Sequence, residues 1–117
     1  MKAFREKFTL EERIAECERI KQKYPERVPI IIEQAAKSSL PPLDRYKYLV
    51  PDLTVGQFIY SIRKRMSLPQ EQALFVFFNN ELPPTSSMVK DIYTKLKSED
   101  GFLYGTIHSE SCFGLQN

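Results

Sequence analysis

Two capping boxes fix where two helices of this chain begin, and they divide it into short alternating segments. The stretches TLEE from Thr9 and TVGQ from Thr54 each place a threonine three residues before a glutamate or glutamine. In such a box, the hydroxyl and the longer side chain each bind a free backbone amide of the first helical turn. We therefore predict helices that begin directly after Thr9 and directly after Thr54.

The first predicted helix carries an apolar stripe and stops before a proline. The stripe consists of Leu10, Ile14, Cys17 and Tyr24. Ile20 lies to one side of this line at helical spacing. Pro25 prevents the helix from continuing. A shorter helical turn is expected upstream, around Ala3 to Lys7.

Short segments rich in β-branched and aromatic residues are predicted to be strands. They are Val28–Gln34, Lys47–Pro51, Leu74–Phe78 and Phe102–His108. Pro29 lacks an amide hydrogen, which indicates either a sheet edge or the first residues of a strand. We expect Phe75 and Phe77 to lie in the core, with exposed ring surface for docking as the alternative.

Two further helices complete the pattern. The helix after Thr54 has one apolar face, formed by Val55, Phe58, Ile59, Ile62 and Met66. The basic run Arg63–Arg65 is expected to be its solvated side. A last short helix is indicated by Val89, Ile92, Tyr93 and Leu96.

The order of these elements predicts an α+β fold with the helices gathered on one side of a mixed four-stranded sheet. Without the first helix, the order is that of a β-grasp, ubiquitin-like domain, and a likeness of fold assigns no function. We expect an N-terminal helical extension over residues 1–26, a ubiquitin-like domain over 27–110 and a flexible C-terminal tail over 111–117.

Charge and cysteine content exclude several classes of function. Lys and Arg number 17 against 15 for Asp and Glu, and the net charge of +2 is far below the basic footprint of a nucleic-acid-binding protein. No apolar run is long enough to cross a bilayer, and no secretory signal is visible. Cys17 and Cys112 lack metal-ligand spacing, so we expect reduced thiols in a cytoplasmic protein without metal or cofactor.

A thiol enzyme is one alternative, and the sequence argues against it. His108 and Cys112 would have to lie within hydrogen-bond reach of each other to act as nucleophile and base. No glycine-rich elbow or orienting group accompanies them, and no phosphate-binding glycine loop is present. We therefore expect no catalytic residues.

Four longer stretches carry a family resemblance. They are KYPERVPIIIEQA, KYLVPDLTVGQFIYSIRKR, ALFVFFNNELPPT and DGFLY. In this order and spacing they resemble the autophagy ubiquitin-like modifiers of the GABARAP and light-chain-3 type. The similarity runs from about Glu11 to Gly114, which is essentially the whole predicted domain.

The resemblance implies that Gly114 is a processing site. Members of this family are made as precursors, and a cysteine protease cuts them after a glycine near the C-terminus. Activating and conjugating enzymes then join the new carboxylate, through thioesters, to phosphatidylethanolamine on the autophagosome membrane. Gly114 has no Cβ and would pass through a narrow active-site channel. Phe113 would give the enzyme an aromatic grip, and Leu115–Asn117 would be discarded.

The resemblance also implies that the chain binds receptors carrying an aromatic-x-x-aliphatic motif, which adds as a strand to an open sheet edge. The implied pocket for the aromatic residue consists of Glu16, Ile20, Pro29, Ile31, Lys47, Leu49 and Phe102. The implied pocket for the aliphatic residue consists of Tyr48, Val50, Pro51, Leu53, Phe58 and Ile62. Acidic residues flanking the motif would meet Arg27, Arg45, Lys47 and Arg65. Period-two alternation places residues 47 and 49 on one side of their strand and 48 and 50 on the other.

Some of these positions have other interpretations or depart from the family pattern. Ile31, Leu49, Phe58 and Ile62 would look the same as ordinary core.

Ser61 stands where the family carries a large apolar residue, and the link at Pro51-Asp52 is one residue shorter, so we expect a shallower or wetter aliphatic pocket. Gly105 replaces a β-branched residue and is expected to weaken the last strand locally. Cys112, beside the cleavage point, is also unusual for the family.

A ubiquitin-like adaptor that is never conjugated is the second alternative. Its basic N-terminal segment would bind tubulin or trafficking proteins through Lys2, Arg5, Lys7 and Arg13, although interleaved glutamates dilute the positive field. For the modifier, we expect a monomer whose partners are the processing protease, the activating and conjugating enzymes, and motif-bearing receptors.

Overall fold

The computed structural model describes residues 3–35 and 38–109. Within these ranges the helices are α1 Phe4–Lys7, α2 Leu10–Lys23, α3 Val55–Met66 and α4 Val89–Leu96. The strands are β1 Val28–Gln34, β2 Lys47–Val50, β3 Phe75–Phe78 and β4 Leu103–His108. This is the predicted order of elements, with strand boundaries that differ by one residue at Pro51, Leu74 and Phe102. None of the helices in the described ranges combines the length and apolar character needed to cross a membrane.

The strands form one mixed sheet in the order β2-β1-β4-β3. The two central strands, β1 and β4, run parallel, and each outer strand is antiparallel to its neighbour. The predicted mixed four-stranded sheet of an α+β fold is therefore confirmed.

Both predicted capping boxes are present. The Glu12 amide donates to Thr9 Oγ1 at 3.1 Å, and the Thr9 amide donates to Glu12 Oε1 at 2.8 Å. At α3, the Gln57 amide donates to Thr54 Oγ1 at 3.1 Å, and the Thr54 amide donates to Gln57 Oε1 at 2.9 Å. Each box satisfies backbone donors that have no partner inside the helix.

The helices lie on both faces of the sheet, so the prediction that they gather on one side is wrong. Val55, Phe58 and Ile62 of α3 and Val89 of α4 pack in the main core against alternate residues of all the strands. A second cluster on the opposite face joins α1 and α2 to the sheet, and consists of Phe4, Cys17, Ile20, Ile31 and Phe102. Because neighbouring side chains of a strand point to opposite faces, one sheet serves both clusters.

The buried stripe of α2 differs from the prediction at two positions. Ile20, which we placed to one side, is buried in the second cluster. Tyr24, which we placed on the stripe, is the C-terminal cap of α2 and is 40% exposed. The buried stripe of α2 consists of residues that can reach Ile31 and Phe102 beneath the helix. Tyr24 does not belong to it, because the helix ends at this residue and the chain turns at Pro25.

Arg63 is also not the solvated residue that we predicted. Its guanidinium donates to the carbonyl oxygens of Gln72 at 2.6 Å and Pro69 at 3.0 Å. It therefore holds the segment between α3 and β3, while the neighbouring Lys64 and Arg65 are exposed as expected.

Pro29 lies near the start of β1, which is a central strand. Its missing amide hydrogen therefore indicates the first residues of a strand and not a sheet edge. Pro29 is opposite Leu49 of β2, and the parallel pairing with β4 begins one residue later, at Ile30. The missing amide hydrogen therefore falls before the β4 ladder begins.

Gly105 does not leave a gap in β4. A Cβ built on Gly105 would lie 2.8 Å from Cε1 of Phe78 and 3.0 Å from Cδ1 of Ile32. Phe78 is the residue directly opposite in β3, and its side chain is fully buried. The expected local weakening is thus offset by an aromatic ring that fills the space of the absent side chain.

Candidate docking site at the edge formed by β2

β2 is an edge strand, and its outer backbone groups can be assigned from its pairing. Within the described residues, β2 pairs with β1 alone. The Ile32 amide donates to the Tyr46 carbonyl at 2.8 Å, which makes Tyr46 an inward-facing position. Because backbone groups alternate in direction along an antiparallel strand, Tyr48 and Val50 also face β1. The amides and carbonyls of Lys47 and Leu49 therefore point away from the sheet.

The side chains of β2 separate as the alternation predicts. Tyr48 and Val50 are buried in the main core beneath α3. Leu49 packs against the second cluster beneath α2, and Lys47 points to the same face. The open edge thus has a distinct apolar region on each side.

The structure brings together the residues of the predicted aromatic pocket. Ile20, Ile31 and Phe102 belong to the second cluster, and Leu49 contacts it from β2. Pro29 is buried and lies opposite Leu49 in the sheet. These side chains form an apolar floor between α2 and the outer strand.

Glu16 and Lys47 join α2 to β2 above that floor. The Lys47 ammonium lies 2.6 Å from Glu16 Oε2. Arg19 donates two further hydrogen bonds to the same carboxylate, at 3.0 and 2.8 Å. The Arg19 hydrogen bonds, followed by that from Lys47, lower the pKa of Glu16 to about 2. The rim of this region therefore carries a carboxylate that stays charged well into acidic solution.

The innermost residues of the predicted aliphatic pocket are as deeply buried as those of the aromatic one, where Ile31 and Phe102 are 0% exposed. Phe58 is 1% and Ile62 0% exposed, so both are core residues in this state of the protein. The Tyr48 ring meets Phe58 edge-on, with 5.6 Å between ring centroids. Leu53 is partly buried and Pro51 is exposed at the rim. A ligand would meet the edges of this group rather than an open cavity.

Ser61 lies beside a shallow groove on the outer surface of α3. The groove has a volume of about 550 Å³ and is lined by Leu53, Thr54, Gly56, Gln57, Tyr60, Ser61, Thr85 and Ser86. Ser61 is exposed and donates its hydroxyl to the Gln57 carbonyl at 3.1 Å. Leu53 and Ser61 both line this groove, so the serine places a polar group beside Leu53.

The three arginines predicted to meet acidic residues differ in their contacts. Arg27 donates to the carbonyl of Leu49 at 3.1 Å, whereas Arg65 Nε lies 3.2 Å from Asp44 Oδ1. Arg45 is exposed and makes no hydrogen bond to another described residue. Lys47 and Arg65 are thus paired with carboxylates, whereas Arg27 and Arg45 form no ion pair with another described residue.

The predicted processing residues, Phe113 and Gly114, lie outside the described residues, as does Cys112. His108, the other half of the rejected thiol pair, ends β4 and stacks edge-on against Phe77 with 4.7 Å between ring centroids. Burial lowers the pKa of His108. Phe77 is 6% exposed, in agreement with its predicted place in the core, whereas Phe75 is only half-buried.

Sequence analysis missed the polar network that holds Phe102 in place. The Asp100 side chain is fully buried, and its carboxylate accepts from Arg13 Nη1 at 2.7 Å and from the Phe102 amide at 2.9 Å. The Tyr104 hydroxyl donates to the same carboxylate, and burial together with this bond raises the pKa of Tyr104. Nothing in the local pattern SEDG distinguishes Asp100 from an ordinary turn residue, because its partner Arg13 is distant in sequence.

Comparison with known proteins gives consistent results over nearly the whole chain. Residues 12–114 match the family described as Autophagy protein Atg8 ubiquitin like. Autophagy-related protein 8 of Candida glabrata is 51% identical over 115 residues, which cover 97% of this chain and 98% of that protein. Autophagy-related protein 8d of Arabidopsis thaliana is 52% identical over 114 residues, covering 97% and 95% respectively.

Solved structures agree with these sequence matches. The crystal structure of Trypanosoma brucei ATG8 superposes with a TM-score of 0.88 at 43% identity, covering 97% of this chain and 99% of that one. Plasmodium falciparum Atg8, solved in complex with a peptide of Plasmodium falciparum Atg3, has a TM-score of 0.86 at 35% identity, covering 95% and 98%.

Proposed function

This chain belongs to the Atg8 family of ubiquitin-like autophagy proteins, and we propose that it acts as a lipid-conjugated tag that captures motif-bearing receptors. In this proposal a cysteine protease cuts after Gly114, and the new carboxylate is joined to phosphatidylethanolamine on autophagic membranes. The folded domain then binds aromatic-x-x-aliphatic segments.

The observation that carries the binding half of the proposal is the open edge of β2. Lys47 and Leu49 present backbone donors and acceptors outward, and the two sides of the strand lead to separate apolar clusters. An extended peptide gains main-chain hydrogen bonds from such an edge and specificity from pockets that receive alternate side chains. The cations Arg27, Arg45 and Arg65 would attract acids that flank the motif.

The conjugation half is supported by the extent of the family match and by the chemistry of glycine. The match ends at Gly114, the residue proposed for cleavage. Hydrolysis of the Gly114–Leu115 peptide bond frees the Gly114 carboxylate. ATP adenylates this carboxylate with release of pyrophosphate, and the thiolate of an enzyme cysteine then displaces AMP to form a thioester. The lipid amine displaces that thiolate and forms an amide. With no Cβ at Gly114, its carbonyl can be approached closely by the thiolate of the protease and later by that of the enzyme that forms the thioester.

A conjugating enzyme is the proposed partner for that last step. The Plasmodium relative was solved with a peptide of Atg3, which supports an interaction of this kind for the present chain. The processing protease and the activating enzyme follow from the same proposed sequence of reactions.

Amide chemical shifts measured during a peptide titration test the binding proposal. We expect a synthetic peptide with tryptophan and leucine at the motif positions to shift the amides of Lys47 and Leu49 most strongly, with further changes around Phe102. A control peptide with alanine at both positions should leave these amides unchanged. Shifts centred on β3, at the opposite edge of the sheet, would contradict the assignment of the docking site.

A further inference from the structure

Arg27 occupies an acceptor that a docking strand would need. Leu49 is one of the two β2 residues whose backbone groups face outward, and its carbonyl accepts from Arg27 Nη1 at 3.1 Å. The Arg27 side chain makes no other hydrogen bond to a residue that the structure describes. The basic residue therefore closes part of the edge before any peptide arrives.

From this contact, and on the premise of the proposed docking function, we infer that Arg27 is a latch that selects acidic extended peptides. An incoming strand must replace the guanidinium at Leu49 with one of its own amides. The displaced guanidinium keeps its positive charge and all of its N–H donors. An acidic side chain on the peptide then receives it in a charge-assisted, bidentate pair.

Acidic and neutral peptides differ in the interactions that they gain when they displace Arg27 from Leu49. A neutral peptide gains the Leu49 hydrogen bond but breaks the one from Arg27, so that position contributes little net binding energy. An acidic peptide gains the same bond and also a new ion pair with the released arginine. Specificity of this kind arises because the competing peptide is penalised as well as because the correct one is favoured.

Arg45 provides a matched comparison on the same surface. It is exposed, carries the same charge and makes no hydrogen bond to another described residue. It would attract acids through its own charge without blocking an acceptor. Removal of Arg45 should therefore affect acidic peptides alone, whereas removal of Arg27 should act in opposite directions on acidic and neutral peptides.

Calorimetric titration of the full chain with two peptides tests the latch. Both contain tryptophan and leucine at the motif positions, and their flanks carry either glutamate or glutamine. We expect Arg27→Ala to weaken the glutamate peptide about five-fold and to strengthen the glutamine peptide about two- to three-fold. Arg45→Ala should weaken the glutamate peptide and leave the glutamine peptide unchanged.

The carbonyl carbon shift of Leu49 gives a second readout in the peptide-free protein. This chemical shift should change in Arg27→Ala and remain the same in Arg45→Ala. Equal, weaker or unmeasurable binding of the glutamine peptide to Arg27→Ala overturns the latch, as does an unmoved Leu49 carbonyl. Failure of both peptides to bind the unaltered chain contradicts the docking function itself, so the two ideas fail in distinguishable ways.

Discussion

Arg13 of α2 and Asp100, close before β4, form an ion pair whose carboxylate is fully buried, with Nη1 2.7 Å from Oδ2. The pair fastens the N-terminal helices to the sheet next to Phe102, the floor of the proposed aromatic pocket. It supports our proposal that residues 1–26 form an extension docked on a ubiquitin-like domain over residues 27–110. It also removes Arg13 from the basic surface that an adaptor would use.

We predict that Asp100→Asn lowers the free energy of unfolding by about 2 kcal/mol. The substitution removes the charge that balances Arg13, and an uncompensated partner of a buried pair is costly. Denaturant unfolding at neutral pH measures the loss. The control Lys90→Ala breaks an exposed contact, 3.9 Å from Asp52, and should change stability by less than about 0.5 kcal/mol. Equal unfolding midpoints for the two variants would contradict the structural role of Asp100.

Glu16 should make the stability of the protein depend on pH in acid. Its pKa is lowered from 4.5 to about 2 by Arg19 and Lys47. The folded state therefore binds the proton less tightly than the unfolded state. The stabilisation from Glu16 is complete above about pH 4.5 and is lost as the pH falls toward 2.

The matching prediction compares Glu16→Gln with the unaltered chain. Because the carboxylate is partly open to water, we expect the variant to be less stable by about 1 kcal/mol at pH 7, rather than by the full value of the shift. Urea unfolding at pH 7, 4 and 3 should show this difference shrinking. Glu18→Gln, on an exposed position of the same helix, serves as control. A difference for Glu16→Gln that stays constant across this range would refute the assignment.

Gly105 and Phe78 should respond to substitution as a coupled pair. A Cβ at position 105 would meet the Phe78 ring at 2.8 Å, so Gly105→Ala is expected to cost about 1–3 kcal/mol through overpacking. Phe78→Leu on its own also destabilises, by opening a cavity. In the double variant the smaller side chain makes room for the methyl group, and the loss should be less than the sum of the two. Additive losses in thermal unfolding would show that the two residues do not share this space.

Ser61 should limit the affinity for the aliphatic residue of a motif peptide. Ser61→Leu adds apolar surface beside Leu53, and we expect it to strengthen binding about five-fold, as partial burial of a leucine side chain would. Thr94→Leu adds the same surface on α4, away from β2, and should have no effect. Isothermal titration compares the two, and an unchanged affinity in Ser61→Leu would place the aliphatic residue elsewhere.

Local signals were sufficient to predict much of the fold. The capping boxes at Thr9 and Thr54 need only the first turn of their own helix, and the structure confirms both. Ile20 and Tyr24 were assigned wrongly because the buried face of α2 depends on which residues of the sheet lie beneath it. Helical periodicity in the sequence does not contain that information.

The same limit applies to the proposed site. Alternation along β2 correctly separated Lys47 and Leu49 from Tyr48 and Val50, because period two is a property of any strand. The capping of the Leu49 carbonyl by Arg27 and the burial of Asp100 arise from contacts between distant parts of the chain. No spacing rule in the sequence indicates them.

The most direct test of the proposed function is the intact mass of the chain, followed by its association with membranes. After incubation with an autophagy cysteine protease, we expect a mass loss equal to Leu115–Asn117. Addition of activating and conjugating enzymes and of liposomes containing phosphatidylethanolamine should then give a lipid adduct. Gly114→Ala should block both steps while its affinity for motif peptides stays the same. An uncut chain that remains free of lipid, or a Gly114→Ala variant that is still lipidated, would contradict the account.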